Sequence, residues 1–310
     1  MDVPPAETSA TQTSAWRAVV RVLRSPVDAA GCAVLPSRCA LCGSPLPQIS
    51  LAPICNVCWM EISVASGPAC ARCGDPLPGT GSDAMLCRAC RMAPPDFERA
   101  VAYAPYEDRL RAAIHALKYD RMHPAARRMG AMLAQAIAKL AVEAPQEMLV
   151  VPVPLHRAKY AERGFNQARV LAAHALRALR RSHPLWKLTL APSTLMRLRA
   201  TESQAGLTPR QRRMNVRGAF QVSDRAAVEG RHVLLIDDIL TTGATARAAS
   251  RALKRAGAAT VWVATLARAG RAELHAGRAP AGDFAKNRGA LPGRPELPHA
   301  ARPPAQSDFS

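Results

Sequence analysis

The sequence predicts an α/β protein in which a parallel sheet carries helices on both faces and a small cysteine-rich module comes first. Between residues 97 and 268, helical segments alternate with short apolar segments typical of buried strands. This alternation favours a parallel sheet covered on both sides. All nine cysteines lie between residues 32 and 95, where Pro and Gly are frequent and helical periodicity is weak. We therefore expect a compact module built on crosslinks in front of the sheet.

The composition divides the chain into four regions. We predict a leader over residues 1–31, the cysteine module over 32–95, the α/β domain over 96–270 and a disordered tail over 271–310. The tail has Gly, Pro, Ala and Arg without periodicity, which favours solvated disorder, with a basic binding arm as the alternative. Residues 16–23 favour a local helix, and the alternative there is an amphipathic helix that touches a membrane or a partner.

The elements of the α/β domain follow from apolar periodicity and from Pro and Gly punctuation. In chain order we predict helices over 108–119 and 124–142, a buried strand over 147–153, a helix over 167–180, a strand running into a loop within 187–198, a short helix over 209–215, an extended segment over 219–222, a strand over 232–236, a helix over 244–256 and a strand over 260–266.

The formal net charge of +19 favours polyanionic partners such as nucleic acid or phosphorylated ligands. The alternative is that the excess arginines, for example Arg177, Arg180 and Arg181, simply face water on helices. No apolar run reaches the roughly 18 residues needed to span a bilayer. The first 15 residues are polar and lack the pattern of a signal peptide, so we expect a cytoplasmic protein without a transmembrane segment.

Eight cysteines form four C-x-x-C pairs, and pairs separated by about a dozen residues are typical of zinc ribbons. The sequence CALCGSPLP at Cys39 returns as CARCGDPLP at Cys70, 31 residues later. Each copy is followed by a second pair, so we predict two structural zinc sites, each closed by four sulfurs. The predicted ligands are Cys39, Cys42, Cys55 and Cys58 in the first site and Cys70, Cys73, Cys87 and Cys90 in the second.

The alternatives for these pairs are disulfides or redox-active dithiols. A disulfide framework requires an oxidising compartment, and no export signal is visible. A redox-active pair normally opens a helix, whereas these pairs lie in turns with Pro and Gly, such as Gly43 and Gly74. We assign no role to Cys32.

The most informative segment is VLLIDDILTTGAT at residues 233–245. An apolar strand leads to Asp237 and Asp238, and a loop of small residues then opens a helix. Backbone N–H groups and hydroxyls of such a loop, together with the positive end of the helix, suit a phosphate. The two carboxylates suit vicinal ribose hydroxyls. The predicted ribose and phosphate residues are Asp237, Asp238, Thr241, Thr242, Gly243, Ala244 and Thr245; the alternative is an ordinary strand–turn–helix with a capping threonine.

This segment resembles the phosphoribosyl pyrophosphate (PRPP) signature of type I phosphoribosyltransferases. Further motifs are VVPVPLHRAKYAERGFNQARVLA at 150–172, RLRATESQAGLTPRQRRMNVRGAF at 197–220 and IHALKY at 114–119. Together with the cysteine module they are similar to the ComF-like family of double-zinc-ribbon phosphoribosyltransferases, over residues 33–268. That family includes competence proteins of DNA uptake. The resemblance implies that the sheet has the type I phosphoribosyltransferase fold.

The resemblance also implies a pyrophosphate site in the loop over 152–157. The residues assigned to it are Pro154, Leu155, His156, Arg157, Arg163 and Asn166. For residues 163–167 the alternative is a helix start capped by Asn166. The segment over 197–204 corresponds to the flexible loop that closes over PRPP, where Arg197 and Arg199 are the catalytic candidates and a solvated basic loop is the alternative. Lys118 is a weaker candidate for phosphate contact.

Two functions remain open at this stage. The first is phosphoribosyl transfer from PRPP with Mg²⁺ to an unidentified acceptor, recognised by a hood built from the cysteine module and residues 97–130. The second is a non-catalytic factor of DNA uptake that handles single-stranded DNA or a nucleotide beside a helicase-type partner. Aromatic residues make up only 4% of the chain, fewer than a base-stacking groove would suggest. Homo-oligomers are compatible with either function.

Overall fold

The computed structural model describes residues 38–47, 52–79, 85–119, 122–199, 211, 216 and 218–270. The described residues all belong to one compact unit. The predicted leader, Cys32, the tail, the segment 201–204 and the helix over 209–215, apart from Gln211, lie outside the described residues. Within the described part, no helix has both the length and the apolar character needed to cross a membrane.

The centre of the molecule is a sheet of five parallel strands in the order β1-β7-β6-β2-β3. Its strands are β1 (Ala100–Pro105), β2 (Glu147–Pro152), β3 (Lys187–Leu190), β6 (His232–Leu240) and β7 (Thr260–Arg268). A separate antiparallel hairpin consists of β4 (Leu195–Arg197) and β5 (Phe220–Val222). The prediction of a parallel sheet is confirmed.

Seven α-helices lie in the described residues, together with a 3-10 turn at His123–Ala125. They are α1 (Asn56–Met60), α2 (Arg88–Met92), α3 (Asp108–Tyr119), α4 (Ala126–Ala138), α5 (Arg157–Arg163), α6 (Gln167–Ser182) and α7 (Ala244–Arg255). The bounds predicted for α3 are those observed, and those for α6 and α7 differ by one or two residues. The helix predicted over 124–142 is shorter, since its last residues form turns. The sequence prediction missed β1 and the short helices α1, α2 and α5, because five to seven residues barely show a 3.6-residue period.

Helices cover both faces of the sheet, as predicted. Along β6, Leu234 and Ile236 face a core shared with α3, α4 and α6, whereas Val233 and Leu235 face a core shared with α7 and the β4–β5 hairpin. This alternation is the two-residue period of a strand. The helices α4 and α6 approach closely at Gly130, where a Cβ atom would lie 2.3 Å from His174 Cβ.

The two cysteine tetrads lie on opposite faces of the sheet. Cys39 and Cys58 are buried in the core that contains α3 and α4, and Cys70 and Cys90 in the core that contains α7. We call the tetrad of Cys39, Cys42, Cys55 and Cys58 with its turns the first ribbon, and that of Cys70, Cys73, Cys87 and Cys90 the second ribbon.

The strand order reverses between β2 and β6. From β2 the chain continues to the edge strand β3, and from β6 it continues the other way to β7. The two strands pair only as far as Pro152 and Ile236, whereas β6 runs on beside β7 to Leu240. Open α/β sheets bind ligands in a crevice at the carboxyl ends of the strands at such a point. The strand predicted over 232–236 is therefore four residues longer than expected, because β7 stays paired with it to Arg268.

Candidate functional site

The two acids lie on β6 just past its last pairing with β2, in the crevice at the switch point. Asp238 is buried and Asp237 is partly exposed. Each carboxylate also accepts a hydrogen bond from the next backbone amide: Asp237 Oδ1 from Asp238 N at 2.9 Å and Asp238 Oδ1 from Ile239 N at 3.0 Å. These bonds hold the carboxylates close to the backbone at the strand end.

Lys118, near the end of α3, forms an ion pair with the other oxygen of Asp238, Oδ2. Both side chains are largely buried, with 16% of Lys118 and 7% of Asp238 exposed. Lys118, a weak candidate from sequence, thus lies at the centre of the site and neutralises one of the two acids.

The pKa values of the two acids move in opposite directions. Burial raises the pKa of Asp237 well above its usual range, and the neighbouring Asp238 raises it further. Burial also acts to raise the pKa of Asp238, but the Lys118 ammonium outweighs it and the pKa is lowered. Burial works to lower the pKa of Lys118, and the charge of Asp238 raises it above its usual value. Asp238 is therefore ionised and paired with Lys118, while Asp237 retains its proton to higher pH.

Further cations surround the acids on the side of the crevice formed by α5 and β4. Burial lowers the pKa of Lys159, as do the positive charges of Arg163, Arg197 and Lys118. Burial also lowers the pKa of Arg197, and the Asp237 carboxylate opposes that shift. Four cations therefore lie near an acidic pair of which one member is paired with Lys118. This excess of positive charge favours an anionic ligand.

The loop predicted to bind phosphate joins β6 to α7. Gly243 is the N-cap residue of α7 and has φ +77°, a left-handed conformation that favours glycine. The N-terminus of α7 therefore directly follows the loop. Thr242 Oγ1 accepts from Ala244 N at 3.4 Å, a weak contact. Thr241, Thr242 and Thr245 are each partly exposed. A small-residue loop before a helix N-terminus is an arrangement at which anions commonly bind in proteins.

The loop after β2 lies across the crevice, and its last residue opens α5. His156 caps α5, with Nδ1 accepting from Ala158 N at 3.3 Å. Asn166 caps α6 through Oδ1, and its Nδ2 donates to Val153 O at 3.0 Å. The capping alternative for Asn166 is therefore present in the structure. The same side chain also ties α6 to the start of the loop that holds Pro154 and Leu155 and leads into α5 at Arg157.

Arg163, at the end of α5, is held between two neighbours. Its Nη1 donates to Gln167 Oε1 at 3.2 Å and its Nη2 donates to Tyr119 Oη at 3.1 Å. Its guanidinium also lies 5.0 Å from the centre of the Tyr119 ring. Because Tyr119 follows Lys118, this contact joins the end of α5 to the end of α3, next to the lysine that pairs with Asp238.

The two catalytic candidates differ in their surroundings. Arg197, the last residue of β4, is partly buried with its guanidinium 5.4 Å from the centre of the Phe220 ring. Arg199 is exposed and is the last described residue before the segment over 200–210. The structure therefore brings Arg197 into electrostatic reach of Asp237.

The site includes a residue that the sequence reasoning missed. This residue is Lys159, which lies in α5 between Arg157 and Arg163. The spacing of these three basic residues along the segment was the feature of the sequence that could have indicated it. A surface hollow lined by Leu176, Trp186 and Leu188 lies beside the amino end of β3, at the opposite end of the sheet. Topology and charge, rather than the size of that hollow, identify the candidate site.

Each cysteine tetrad has the dimensions of a four-sulfur metal site. Within each tetrad the sulfur atoms lie within 4.8 Å of one another. Separations of 3.8 Å for Cys39–Cys58 and 3.7 Å for Cys73–Cys87 match the edge of a tetrahedron with Zn–S bonds of about 2.3 Å. None of the eight described cysteines forms a disulfide. Amide donors also face the sulfurs, with Cys55 N 3.3 Å from Cys39 Sγ and Cys87 N 3.3 Å from Cys70 Sγ.

Comparison with known families agrees with both halves of this structure. Residues 32–91 match the double zinc ribbon domain, and residues 167–279 match the phosphoribosyl transferase domain. The chain is therefore a double zinc ribbon followed by a phosphoribosyltransferase-type domain.

Relatives identify the family more closely. "DNA utilization protein YhgH" of Salmonella typhi is 33% identical over 241 residues, which cover 76% of this chain and 98% of that protein. "Competence protein F" of Haemophilus influenzae is 28% identical over 235 residues, covering 75% of this chain and 97% of that protein. The chain belongs to the ComF-like family of competence and DNA utilization proteins.

A solved structure of glutamine PRPP amidotransferase from Bacillus subtilis, complexed with ADP and GMP, is 26% identical and covers 46% of this chain and 26% of that one. The TM-score of that match is 0.29.

Proposed function

We propose that the crevice between β2 and β6 binds PRPP with Mg²⁺ and transfers its phosphoribosyl group to an acceptor. The observation that carries this proposal is the meeting of an acidic pair, a phosphate-type loop and a cluster of cations at the switch point of the sheet. Ribose hydroxyls would donate to Asp237 and Asp238, and the 5′-phosphate would lie on the loop at Thr241–Thr245. The pyrophosphate would lie towards the loop after β2 and towards Lys159, Arg163 and Arg197.

The reaction is a displacement at the anomeric carbon of the ribose. The acceptor's lone pair forms the new bond to that carbon as the bond to pyrophosphate breaks, and the electron pair leaves on the pyrophosphate oxygen. Charge grows on the leaving group in the transition state, so cations already in place there lower the barrier. Arg197 and Lys159 are partly buried, which strengthens their interaction with that charge.

The chain's own residues favour a metal ion that arrives with the ligand. Outside the cysteine tetrads, the described residues contain no group of three or more His, Cys, Asp or Glu side chains close enough to share an ion. Mg²⁺ is commonly held by substrate phosphates, one or two carboxylates and water rather than by a protein cage. It would supply positive charge to the pyrophosphate oxygens.

The test of binding is calorimetry with PRPP and Mg²⁺ on the wild type and on the double variant Asp237→Asn, Asp238→Asn. We expect clearly weaker binding, because each ribose hydroxyl loses a charged acceptor worth about 1.5–3 kcal/mol. Glu147→Gln is a matched control, since Glu147 is an acid at the other end of β2, paired with Arg231 at 3.4 Å. Equal affinity of the double variant and the wild type would show that the acids do not hold the ribose.

Transfer itself requires a second measurement. Pyrophosphate release should appear when a suitable acceptor is added to the protein with PRPP and Mg²⁺. A screen of amines, nucleobases and nucleotides is the direct search for that acceptor. Tight PRPP binding without release for any acceptor would support a binding role instead.

The alternative function is a non-catalytic factor that handles single-stranded DNA or a nucleotide during DNA uptake. The names of the relatives favour it, since they refer to DNA utilization and competence. Basic residues of α4 and α6 also lie together: Arg177 Nη1 is 3.3 Å from His174 Nδ1, and burial and the charges of Arg177 and Arg127 lower the pKa of His174. If this function is correct, single-stranded DNA should bind with strong salt dependence.

A further inference from the structure

The phosphate loop is joined to the second ribbon through one buried arginine. Arg268, the last residue of β7, has a side chain that is only 4% exposed. Its Nη1 donates to the carbonyl oxygens of Leu240 and Thr241, where the phosphate loop begins. Its Nε donates to Cys73 O at 3.1 Å, and its Nη2 pairs with Asp75 Oδ1 at 2.8 Å. The planar, permanently charged guanidinium spreads five N–H donors over a rigid fork, so it can reach both sides at once.

The helix that follows the phosphate loop has its own contacts with the second ribbon. Arg247 of α7 donates through Nη1 to Ala93 O at 2.7 Å, and its Nη2 lies 3.8 Å from Cys90 Sγ. One turn further on, Arg251 pairs with Asp96 at 3.1 Å. Both ends of the anion site, the loop and its helix, are therefore fastened to the second ribbon.

The first ribbon lacks the residue that makes this link. In the two repeats, Ser44 of CALCGSPLP occupies the position of Asp75 in CARCGDPLP. Ser44 Oγ lies 3.3 Å from Cys42 Sγ within its own ribbon. The first ribbon instead contacts α3, where Arg109 donates to Glu61 at 2.6 Å and to Leu41 O at 3.3 Å. The duplicated module has thus diverged at the position where one copy meets the phosphate loop.

We propose that Arg268 and Asp75 are positioning residues that make the second ribbon, and not the first, a structural support of the phosphate loop. The loop then holds its ligand-binding shape only while the second ribbon is folded around its metal site. This inference rests on the proposed function for its consequence on PRPP affinity. The coupling between the phosphate loop and the second ribbon does not itself depend on which phosphorylated ligand binds.

The first experiment is native-state amide hydrogen exchange on the unmodified full-length protein, at increasing denaturant. Segments that open together exchange with one free energy of opening. We expect amides of the phosphate loop at 241–245 to open together with amides of the second ribbon at 70–75. Amides of the first ribbon at 39–44 should open separately. Opening of the loop independently of the second ribbon would overturn the proposal, and this result requires neither PRPP nor a variant.

The second experiment compares Asp75→Ser, which gives the second ribbon the residue of the first, with Ser44→Ala as the matched control. Each variant is checked by zinc content and circular dichroism. We expect faster exchange at 241–245 in Asp75→Ser alone, and about tenfold weaker PRPP binding if the competent loop is populated about one tenth of the time. Asp75→Asn keeps an oxygen acceptor for Arg268 and should recover part of the lost PRPP affinity. If Asp75 only filled space, the nearly isosteric Asn would restore the affinity in full.

The outcomes separate the two proposals. Wild-type exchange and wild-type PRPP affinity in Asp75→Ser would overturn the positioning role. The same would follow if Ser44→Ala changed the loop as much as Asp75→Ser. If the wild type bound no PRPP, the proposed function would fail, while the exchange rates at 241–245 would still decide the coupling. If Asp75→Ser did not fold, the exchange pattern of the wild type would decide it alone.

Discussion

At the residue scale, the acidic pair shows how one strand end can hold two carboxyls in different protonation states. Asp238 can remain charged in a buried place because the Lys118 ammonium faces it. Asp237 gains no comparable match, so burial and its neighbour raise its pKa. Ligand groups that donate hydrogen bonds to Asp237 should favour the ionised form and displace its proton.

This predicts that PRPP binding weakens as the pH falls through the raised pKa of Asp237. In the free protein Asp237 still carries its proton at pH values where an ordinary aspartate is ionised, so binding through the carboxylate must release that proton. Calorimetry at several pH values, in buffers with different ionisation enthalpies, measures the release. Asp237→Asn serves as the control, because any pH dependence left in it belongs to the ligand's own phosphates. A wild type whose pH profile matched that of Asp237→Asn would contradict the prediction.

At the element scale, the β4–β5 hairpin brings a cation to the sheet from the face that α7 covers. Its three ladder pairs run from Leu195–Val222 to Arg197–Phe220. Pairing of Arg197 with Phe220 places the guanidinium against an aromatic ring, at a distance where cation–π attraction adds to its positioning.

Replacing Arg197 and Arg199 by Ala should reduce turnover much more than ground-state PRPP affinity. The reason is that attraction to the leaving pyrophosphate is strongest in the transition state, where the charge develops. The measurement is steady-state kinetics with an acceptor that supports pyrophosphate release, alongside calorimetry. Arg231→Ala is the control, an arginine at the amino end of the sheet that pairs with Glu147.

The same double variant distinguishes the alternative function. For a factor that handles DNA, its main effect should be weaker binding of single-stranded DNA with a flatter salt dependence. Unchanged turnover, together with unchanged DNA affinity, would assign both arginines to a solvated basic loop.

At the scale of the whole molecule, a duplicated module serves the two faces of one sheet. Each ribbon buries its cysteines against a different core, and the ribbons therefore share no metal ligand. Four sulfur ligands for each ion leave no open coordination position, so the metal stabilises the fold rather than performing the chemistry.

We expect the purified protein to contain about two zinc ions per chain, the stoichiometry of two closed four-sulfur sites. Cys42→Ser should remove one of these ions and unfold the first ribbon while PRPP affinity stays close to that of the wild type. Elemental analysis, a thiol assay and PRPP calorimetry check the three parts. Little metal in the wild type, with the thiols paired as disulfides, would contradict the zinc assignment.

The sequence predicted some elements well because their signals are local. The four C-x-x-C pairs and the small-residue loop over 241–245 are short patterns whose chemistry depends on spacing alone. The strand β1 and the helix α5 were missed, because a short segment of small or mixed residues carries no clear period. The end of β6 was placed at Ile236, because continued pairing with β7 as far as Leu240 depends on a neighbouring strand.

By itself the sequence determined the fold class, the pairing of cysteines into two tetrads and the strand–acid–loop segment, because each depends on residues close together in the chain. Only the tertiary structure decided which cations meet the acids and which ribbon supports the loop. Lys118 reaches Asp238, and Arg268 reaches Asp75, across more than a hundred residues of intervening chain. Charges so far apart in sequence are brought together by strand order and helix packing, and no local pattern encodes those contacts.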